Sequence, residues 1–413
     1  MARTTQRPGG TAPRSIARHG RLRPSSPLMG LLQLLGAALV VVLVSGLAVA
    51  GITVQQLEAN IDTVALDGDE GGVPAIGDFE GGFNVLIVGI DENYDRESVL
   101  NDVNILVHVS ADHTNATAVS FPRDLVVPIP SCPREDGEGR YASMSARPLN
   151  EAYYYGGLPC VALTIEELTG LDIPFAAMTT FNGVVNMSTA VGGVTVCTTG
   201  PLIDRYSGIN LPSAGDWTLL GQDALAFLRS RHGVGDGSDL GRISSQQVFL
   251  SALVRKVTAE GVLDDPAAIY RLATAATQSM TLSTSMTNIT TLVAMAQVFR
   301  NMSLDRITFV QYPSTTGVGG VYEGKVAPVR SVAEELMERL QNDQPVVAEE
   351  TGRGSVSNPE ATTPPTNPET PTEPEASATP SAPGETAAPE EPEVIEGLLG
   401  QSAAQNTCSK VNN

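Results

Sequence analysis

Between Leu28 and Ile52 the chain runs for 25 residues without one charged side chain; Leu, Val, Ala and Gly fill almost every position and Gln33 is the single amide. About 20 apolar residues cross a bilayer as a helix, so this run is expected to be a transmembrane anchor. A cleaved secretory signal is the competing reading, but the run is longer than the usual apolar core of such a signal and no clear small-x-small site closes it. Six arginines lie in residues 1–24, and Glu58, Asp62 and Asp67 follow the run. Positive flanks stay in the cytoplasm. The expected placement is therefore a single-pass cell-membrane protein with a cytoplasmic amino terminus and everything beyond residue 52 extracytoplasmic. Residues 1–27, rich in Arg, Pro, Ser and Gly without a hydrophobic period, are expected to be a disordered basic segment.

The cysteines fit that placement. There are four, Cys132, Cys160, Cys197 and Cys408, none in a C-x-x-C pair, and with four histidines and no H-E-x-x-H arrangement a zinc site is not expected. An even number in an exported chain points to disulfides. Three pairings are possible; Cys132 with Cys160 and Cys197 with Cys408 is the favoured one. The formal charge of -21 argues against nonspecific nucleic-acid binding, because a phosphate backbone attracts basic surfaces.

Residues 53–82 read as a linker. The globular body, taken as 83–342, opens with short β-branched strands over Asn84–Ile90, Asn104–Val109 and Ala116–Phe121. Helices are expected over Leu149–Gly156, Ala162–Thr169 with Gly170 as the stop, and Phe181–Val191, followed by a strand at Val194–Cys197. Further helices are expected over Ile243–Ala259, Ala267–Met280, Ile289–Phe299 and Val329–Leu340, with a strand at Arg306–Tyr312. Alternating strands and helices make an α/β domain, layered α-β-α around a central mixed sheet, the economical architecture. Residues 343–397 are dominated by Pro, Thr, Glu, Ala and Ser, which cannot bury enough apolar surface to offset ordering entropy; they are expected to be a disordered tail. The end, 398–413, regains apolar residues and carries Cys408, as if docking back on the body.

Three groups of residues could carry chemistry. Asp91 closes the first strand and Asp102 precedes the second; carboxylates at the ends of adjacent strands can share a hard cation such as Mg2+ or Mn2+. Ser120-Phe121-Pro122-Arg123-Asp124 leaves the third strand through a proline that would aim Arg123. The stretch Arg229 to Gln246 sets three arginines and a glutamine around a glycine-rich loop holding Asp239. On extended backbone Arg229 and Arg231 share a face, and on a helix Arg242 and Gln246 do. Arginine suits a phosphate ester because its planar fork donates two parallel hydrogen bonds and stays charged. No serine elbow, P-loop or Rossmann glycine pattern accompanies them.

In combination these groups resemble the LytR-CpsA-Psr family of bacterial cell-envelope phosphotransferases. The matching text is N-V-L-I-V-G-I-D from Asn84, N-D-V at Asn101, S-F-P-R-D at Ser120, L-N-E-A-Y-Y-Y-G-G at Leu149, E-E-L-T-G at Glu166, V-G-G-V-T-V at Val191, then A-L-A-F-L-R-S-R, D-L-G-R-I and Q-Q between Ala224 and Gln247. The resemblance implies a divalent metal on Asp91 and Asp102. It implies a substrate pyrophosphate gripped by Arg123, Arg229, Arg231, Arg242 and Gln246, with Arg123, Arg229, Arg231 and Asp239 as the catalytic set. The implied reaction moves a glycan phosphate from a polyprenyl-pyrophosphate carrier to a peptidoglycan hydroxyl, forming a phosphodiester. A pyrophosphatase using the same site, or a lipid-glycan binding scaffold, is the alternative. The chain departs from the family pattern at Asn93, at Leu100 or Asn101, and at Pro148, where basic residues are common; Arg96 and Arg147 are the nearest substitutes. The acidic Pro/Thr tail and the Cys132 and Cys160 arrangement resemble actinobacterial members.

Overall fold

The computed structural model describes residues 61–67, 82–91, 99–358 and 393–412, with small gaps at 135, 260–261, 263–264 and 288 and scattered positions between 51 and 59. All but the last two residues of the expected anchor, most of the 53–82 linker, and Asn93 and Arg96 lie outside the described residues. Among the described residues no helix is long and apolar enough to cross a membrane.

The described body is built on a nine-stranded mixed sheet. Its strands in chain order are β1 (Asp62–Val64), β2 (Phe83–Asp91), β3 (Leu100–Val109), β4 (Ala116–Phe121), β5 (Phe175–Thr179), β6 (Met280–Ser283), β7 (Ile307–Gln311), β8 (Val347–Glu350) and β9 (Val394–Ser402). Across the sheet they run β1-β6-β5-β2-β3-β4-β7-β9-β8. β2, β3 and β4 form an antiparallel meander, while β5 joins β2, and β7 joins β4, in parallel. The helices are α1 (Ala152–Thr169), α2 (Phe181–Ala190), α3 (Gln222–Arg229), α4 (Asp239–Ala259), α5 (Pro266–Ser279), α6 (Ile289–Asn301) and α7 (Arg330–Gln341).

Alternation along the strands explains the layers. Leu86, Val88 and Ile90 of β2 face a core shared with Val161 and Ile165 of α1 and Leu336 and Leu340 of α7. Their neighbours Val85 and Ile87 face the opposite core, which includes Met295 of α6 and is flanked by Leu250 and Val254 of α4. A period of two places successive side chains on opposite faces, so a β-branched run such as N-V-L-I-V-G-I is dictated by helices on both sides. The expected α-β-α layering with a central mixed sheet is what the chain adopts. A third core lies beneath a smaller sheet of Gly215–Leu219, Val194–Thr198, Thr407–Ser409 and Ser355–Ser357.

Several expectations need correction. The helices expected over Leu149–Gly156 and Ala162–Thr169 are one element: a 3-10 turn at Leu149–Glu151 leads into α1, which bends at Gly156 and Gly157, both outside helical φ/ψ. Gly170 ends it in the left-handed region, φ 67°, as expected. The linker assigned to 53–82 contains β1, which pairs with β6. The disordered tail assigned to 343–397 is ordered at both ends: β8 and Ser355–Ser357 form before it closes and β9 begins at Val394. Val346, Ile395 and Leu398 are buried there. A few apolar side chains suffice when a sheet edge supplies the backbone partners, and composition averaged over the segment conceals them. The domain therefore does not close at 342; β9 and Thr407–Ser409 complete both sheets.

Both favoured disulfides form, Cys132–Cys160 and Cys197–Cys408. The second spans 211 residues and holds Thr407–Ser409 in parallel against Val194–Thr198.

Candidate active site

A cavity of about 430 Å³ opens between one face of β2 and β3 and the helices α2, α3 and α4. Asp91, Asp102, Arg123, Arg229, Arg231, Arg242 and Gln246 all border it, so seven of the eight site residues singled out in the sequence converge on one space. The exception is Asp239, which is 5% exposed and not among the lining residues.

Asp102 owes its position to an irregularity. Gly89 pairs with Val103 and Ile90 with Asn101, leaving Asp102 as the extra residue of a β-bulge inside β3, not ahead of it. A bulge kinks the strand and re-aims a side chain, here toward the cavity that Asp91 also borders. Neighbouring Asn101 is fully buried and structural: its amide donates to Asn104 Oδ1 (2.7 Å) and the Leu149 carbonyl (3.2 Å), and its Oδ1 accepts from Tyr153 N (3.1 Å).

Asp102 accepts a hydrogen bond from Arg123 Nη1 at 2.8 Å. Arg123 Nε stands 3.6 Å from Asp124 Oδ2 and 3.8 Å from Asp239 Oδ1. Burial opposes the Arg123 charge, but Asp102, Asp239 and Asp124 outweigh it and raise the pKa above the usual arginine value. Asp124 itself turns to Lys325, 2.9 Å away.

Arg242 and Gln246 sit one turn apart on α4, as the spacing predicted. Arg242 Nη2 lies 2.7 Å from Asp239 Oδ1 and donates to the Asp102 carbonyl at 3.0 Å. Burial pushes the Arg242 pKa down, Asp239 working against it. Arg231 Nε is 3.9 Å from the same Asp239 oxygen. One buried carboxylate thus faces three guanidinium groups, and the buried Nε atoms of Arg123, Arg231 and Arg242 have no hydrogen-bond partner. Arg123 and Arg231 turn Nε toward Asp239, while all three guanidinium groups border the cavity, where an anion would be a further acceptor.

Arg229 and Arg231 do not share an extended face. Arg229 is the last residue of α3 and its guanidinium stacks 4.2 Å over the Phe181 ring. Gln246 borders the cavity while its amide donates to the Leu228 carbonyl, 2.9 Å away, pinning the end of α3. Arg147 is engaged with Glu151 and the Tyr155 hydroxyl and does not line the cavity.

Sequence reasoning missed Asp204, at the foot of a small hairpin formed by Leu202–Asp204 and Ile209–Leu211. Its Oδ2 accepts from Ser230 Oγ (3.0 Å), Arg231 N (3.1 Å) and His232 N (3.1 Å), and its Oδ1 from Tyr206 N (2.9 Å). Burial alone would raise its pKa, but these donors prevail and hold it below the usual carboxylate range. Nothing in L-I-D-R-Y-S-G separates this aspartate from an ordinary turn residue.

Residues 407–412 brace the loop from behind. Gly235 N donates to the Lys410 carbonyl (2.8 Å), Asn412 N to the Gly233 carbonyl (3.0 Å) and Asn412 Nδ2 to the His232 carbonyl (3.1 Å), while Ser409 Oγ meets Ser245 Oγ of α4. Gly235, at φ 56°, packs against Gly354 and Gly241, where a side chain would collide.

The deep wall of the cavity is apolar, with Ile87, Val103, Ile105, Val184, Leu225 and Leu250. Asp91 and Asp102, from adjacent strands, are the carboxylates that border the cavity and could offer oxygen to a hard cation such as Mg2+ or Mn2+; among the described residues no group of three or more Asp, Glu, His or Cys side chains is placed to hold a metal ion. A model of the LytR_cpsA_psr family matches residues 53–343.

The chain belongs to the LytR-CpsA-Psr family.

Among relatives, the cell wall biosynthesis protein LcpA of Corynebacterium glutamicum is 30% identical over 248 residues, 56% of this chain and 47% of that protein. The polyisoprenyl-teichoic acid--peptidoglycan teichoic acid transferase TagU of Enterococcus faecalis is 30% identical over 177 residues, 42% and 54% of the two chains. The chain spans about half the length of the curated relatives it matches. The LytR-Csp2A-Psr enzyme from Actinomyces oris has a similar fold, with a TM-score of 0.52 at 22% identity over 68% of this chain and 95% of that one. So does TagT bound to LIIa-WTA, with 0.51 at 23% identity over 68% and 98%.

Proposed function

We propose that this LytR-CpsA-Psr protein is a membrane-anchored phosphotransferase that moves a glycan phosphate from a polyprenyl-pyrophosphate carrier to a peptidoglycan hydroxyl. The observation that carries the reading is a cavity with two ends of opposite chemistry. Arg123, Arg231 and Arg242 crowd the polar end, and an aliphatic wall forms the other. A diphosphate joined to a polyprenyl chain has that same division.

In the proposed reaction the acceptor oxygen attacks the phosphorus that carries the sugar. A new P–O bond forms, the bond to the bridging oxygen of the diphosphate breaks, and polyprenyl phosphate departs with the electron pair and takes up the proton that the acceptor hydroxyl gives up. Arg123, Arg231 and Arg242 neutralise the phosphate oxygens where charge accumulates, and fixed cations in a partly dry site do so without reorganising. Arg229, steadied on Phe181, closes the far side, and Gln246 keeps the end of α3 in place. Asp239, behind the arginines, acts as their common anchor. Asp91 and Asp102 would hold a divalent cation, which when bound supplies further neutralisation of the diphosphate.

The two disulfides support an extracytoplasmic domain, since such bonds persist in oxidising compartments, and residues 28–52 would tether it to the membrane. TagU is named for transfer of teichoic acid to peptidoglycan, which supports the reaction class.

The test uses the full chain in lipid nanodiscs with a prenyl-pyrophosphate-linked sugar and peptidoglycan glycan strands. Sugar phosphate should become covalently attached to the strands, and Asp102→Ala and Arg231→Ala should each lose about 100-fold or more of the rate. Release of sugar phosphate to water at the same rate with and without strands would make the protein a pyrophosphatase instead.

A further inference from the structure

A transferase of the proposed kind needs a second subsite that delivers the acceptor sugar to the phosphorus, and nothing described so far supplies one. We propose that the turn Arg205–Gly208, with Tyr206 seated on His232, is the binding plate for a pyranose ring of the acceptor glycan. The inference rests on the phosphotransferase reading.

Tyr206, Ser207 and His232 all border the reaction cavity. Tyr206 is 64% exposed, so much of its ring is free of packing. Its ring lies 4.5 Å from that of His232 at a 37° tilt. Arg205 stands 5.0 Å from the Tyr206 ring centre and Nη2 donates to the phenol oxygen at 3.0 Å. With His232 against the ring and Arg205 over it, the exposed remainder of Tyr206 suits the C–H face of a sugar, whose hydroxyls would meet the guanidinium and imidazole.

The plate is also tied to the chemistry. Asp204 holds Tyr206 N through one carboxylate oxygen, and Arg231 N and His232 N through the other. A single buried side chain therefore ties the backbone that carries Tyr206 to the backbone that carries Arg231. Gly208, at φ 86°, closes the turn in a conformation that other residues rarely adopt. The other exposed aromatic cluster, Tyr154 with Tyr155 and Tyr141, does not border the cavity and serves as a comparison.

The experiment compares wild type, Tyr206→Ala, Tyr206→Phe and Tyr154→Ala, as full chains in nanodiscs. It reads transfer at varied concentrations of peptidoglycan glycan strands, direct binding of those strands, and binding of geranyl pyrophosphate. For Tyr206→Ala the acceptor KM and the strand Kd should rise about tenfold, the loss of one ring contact, with kcat within about twofold. Tyr206→Phe should keep most of the affinity, and Tyr154→Ala should match wild type. Unchanged strand binding in Tyr206→Ala overturns the plate, as does an equal loss of geranyl pyrophosphate affinity, which would assign the ring to the donor. Absence of transfer in wild type would instead sink the phosphotransferase reading, while strand binding still decides the plate.

Discussion

Asp239 offers a sharp test of how the arginine cluster is held. It is 5% exposed, its Oδ1 is 2.7 Å from Arg242 Nη2, and Arg123 and Arg231 stand 3.8 and 3.9 Å away. Replacing it by Asn keeps the shape and removes the charge, taking from buried Arg242 its ion-pair partner while Arg123 keeps Asp102 at 2.8 Å. Breaking a buried pair from one side costs about 3–5 kcal/mol, and among the described residues Asp239 is the carboxylate paired with deeply buried Arg242, Asp102 adding a weaker pull. At roughly 2 °C per kcal/mol for a domain of this size, Asp239→Asn should melt about 6–10 °C below wild type. The same variant should respond more strongly to inorganic pyrophosphate. The ligand restores the missing negative charge, and saturation at about 100 times Kd contributes about 2.7 kcal/mol. Differential scanning fluorimetry with and without millimolar pyrophosphate reads both effects. A variant that melts with wild type, and gains no more from pyrophosphate than wild type does, would refute the anchor.

Loss of either disulfide should be felt unequally. Closing 211 residues against 28 gives chain-entropy values of about 5 and about 3.5 kcal/mol, so Cys197→Ser with Cys408→Ser should destabilise more than Cys132→Ser with Cys160→Ser. Hydrogen exchange should also rise at the amides of Gly235 and Asn412, which bond across the junction between the loop and the released segment. His108 predicts a pH effect. Its ring is buried against Asn84 and stands 3.3 Å from Asp343. Burial lowers its pKa despite that aspartate. A folded pKa below the unfolded value leaves stability intact above about pH 6.5 and erodes it as pH falls through that value. His108→Asn should flatten the slope of melting temperature between about pH 6.5 and 5.

Much of the site was legible because its chemistry is local. Asp91 closes a strand, Arg123 follows a proline at a strand exit, and Arg242 and Gln246 are one helical turn apart; each spacing has a direct geometric meaning. Arg229 misled because its neighbour Arg231 suggested an extended pair, whereas the helix begun at Gln222 runs through it. The bulge that re-aims Asp102 was invisible, since a register shift depends on the partner strand. Asp204 was invisible too, because its hydrogen bonds reach Ser230 and His232, more than 25 residues away.

The sequence by itself determined the layered α/β class, the charge-free run before the domain, and the residues suited to a diphosphate. These follow from periodicity, charge and side-chain chemistry, which are properties of residues and near neighbours. Only the tertiary structure decided that β8 and β9 extend the sheet, that residues 407–412 brace the arginine loop from behind, and that Asp239 stands behind the guanidinium groups while Tyr206 stands at the mouth. Those outcomes depend on which distant segments find unpaired strand edges and compatible surfaces, and chain closure brings them together regardless of their separation in sequence.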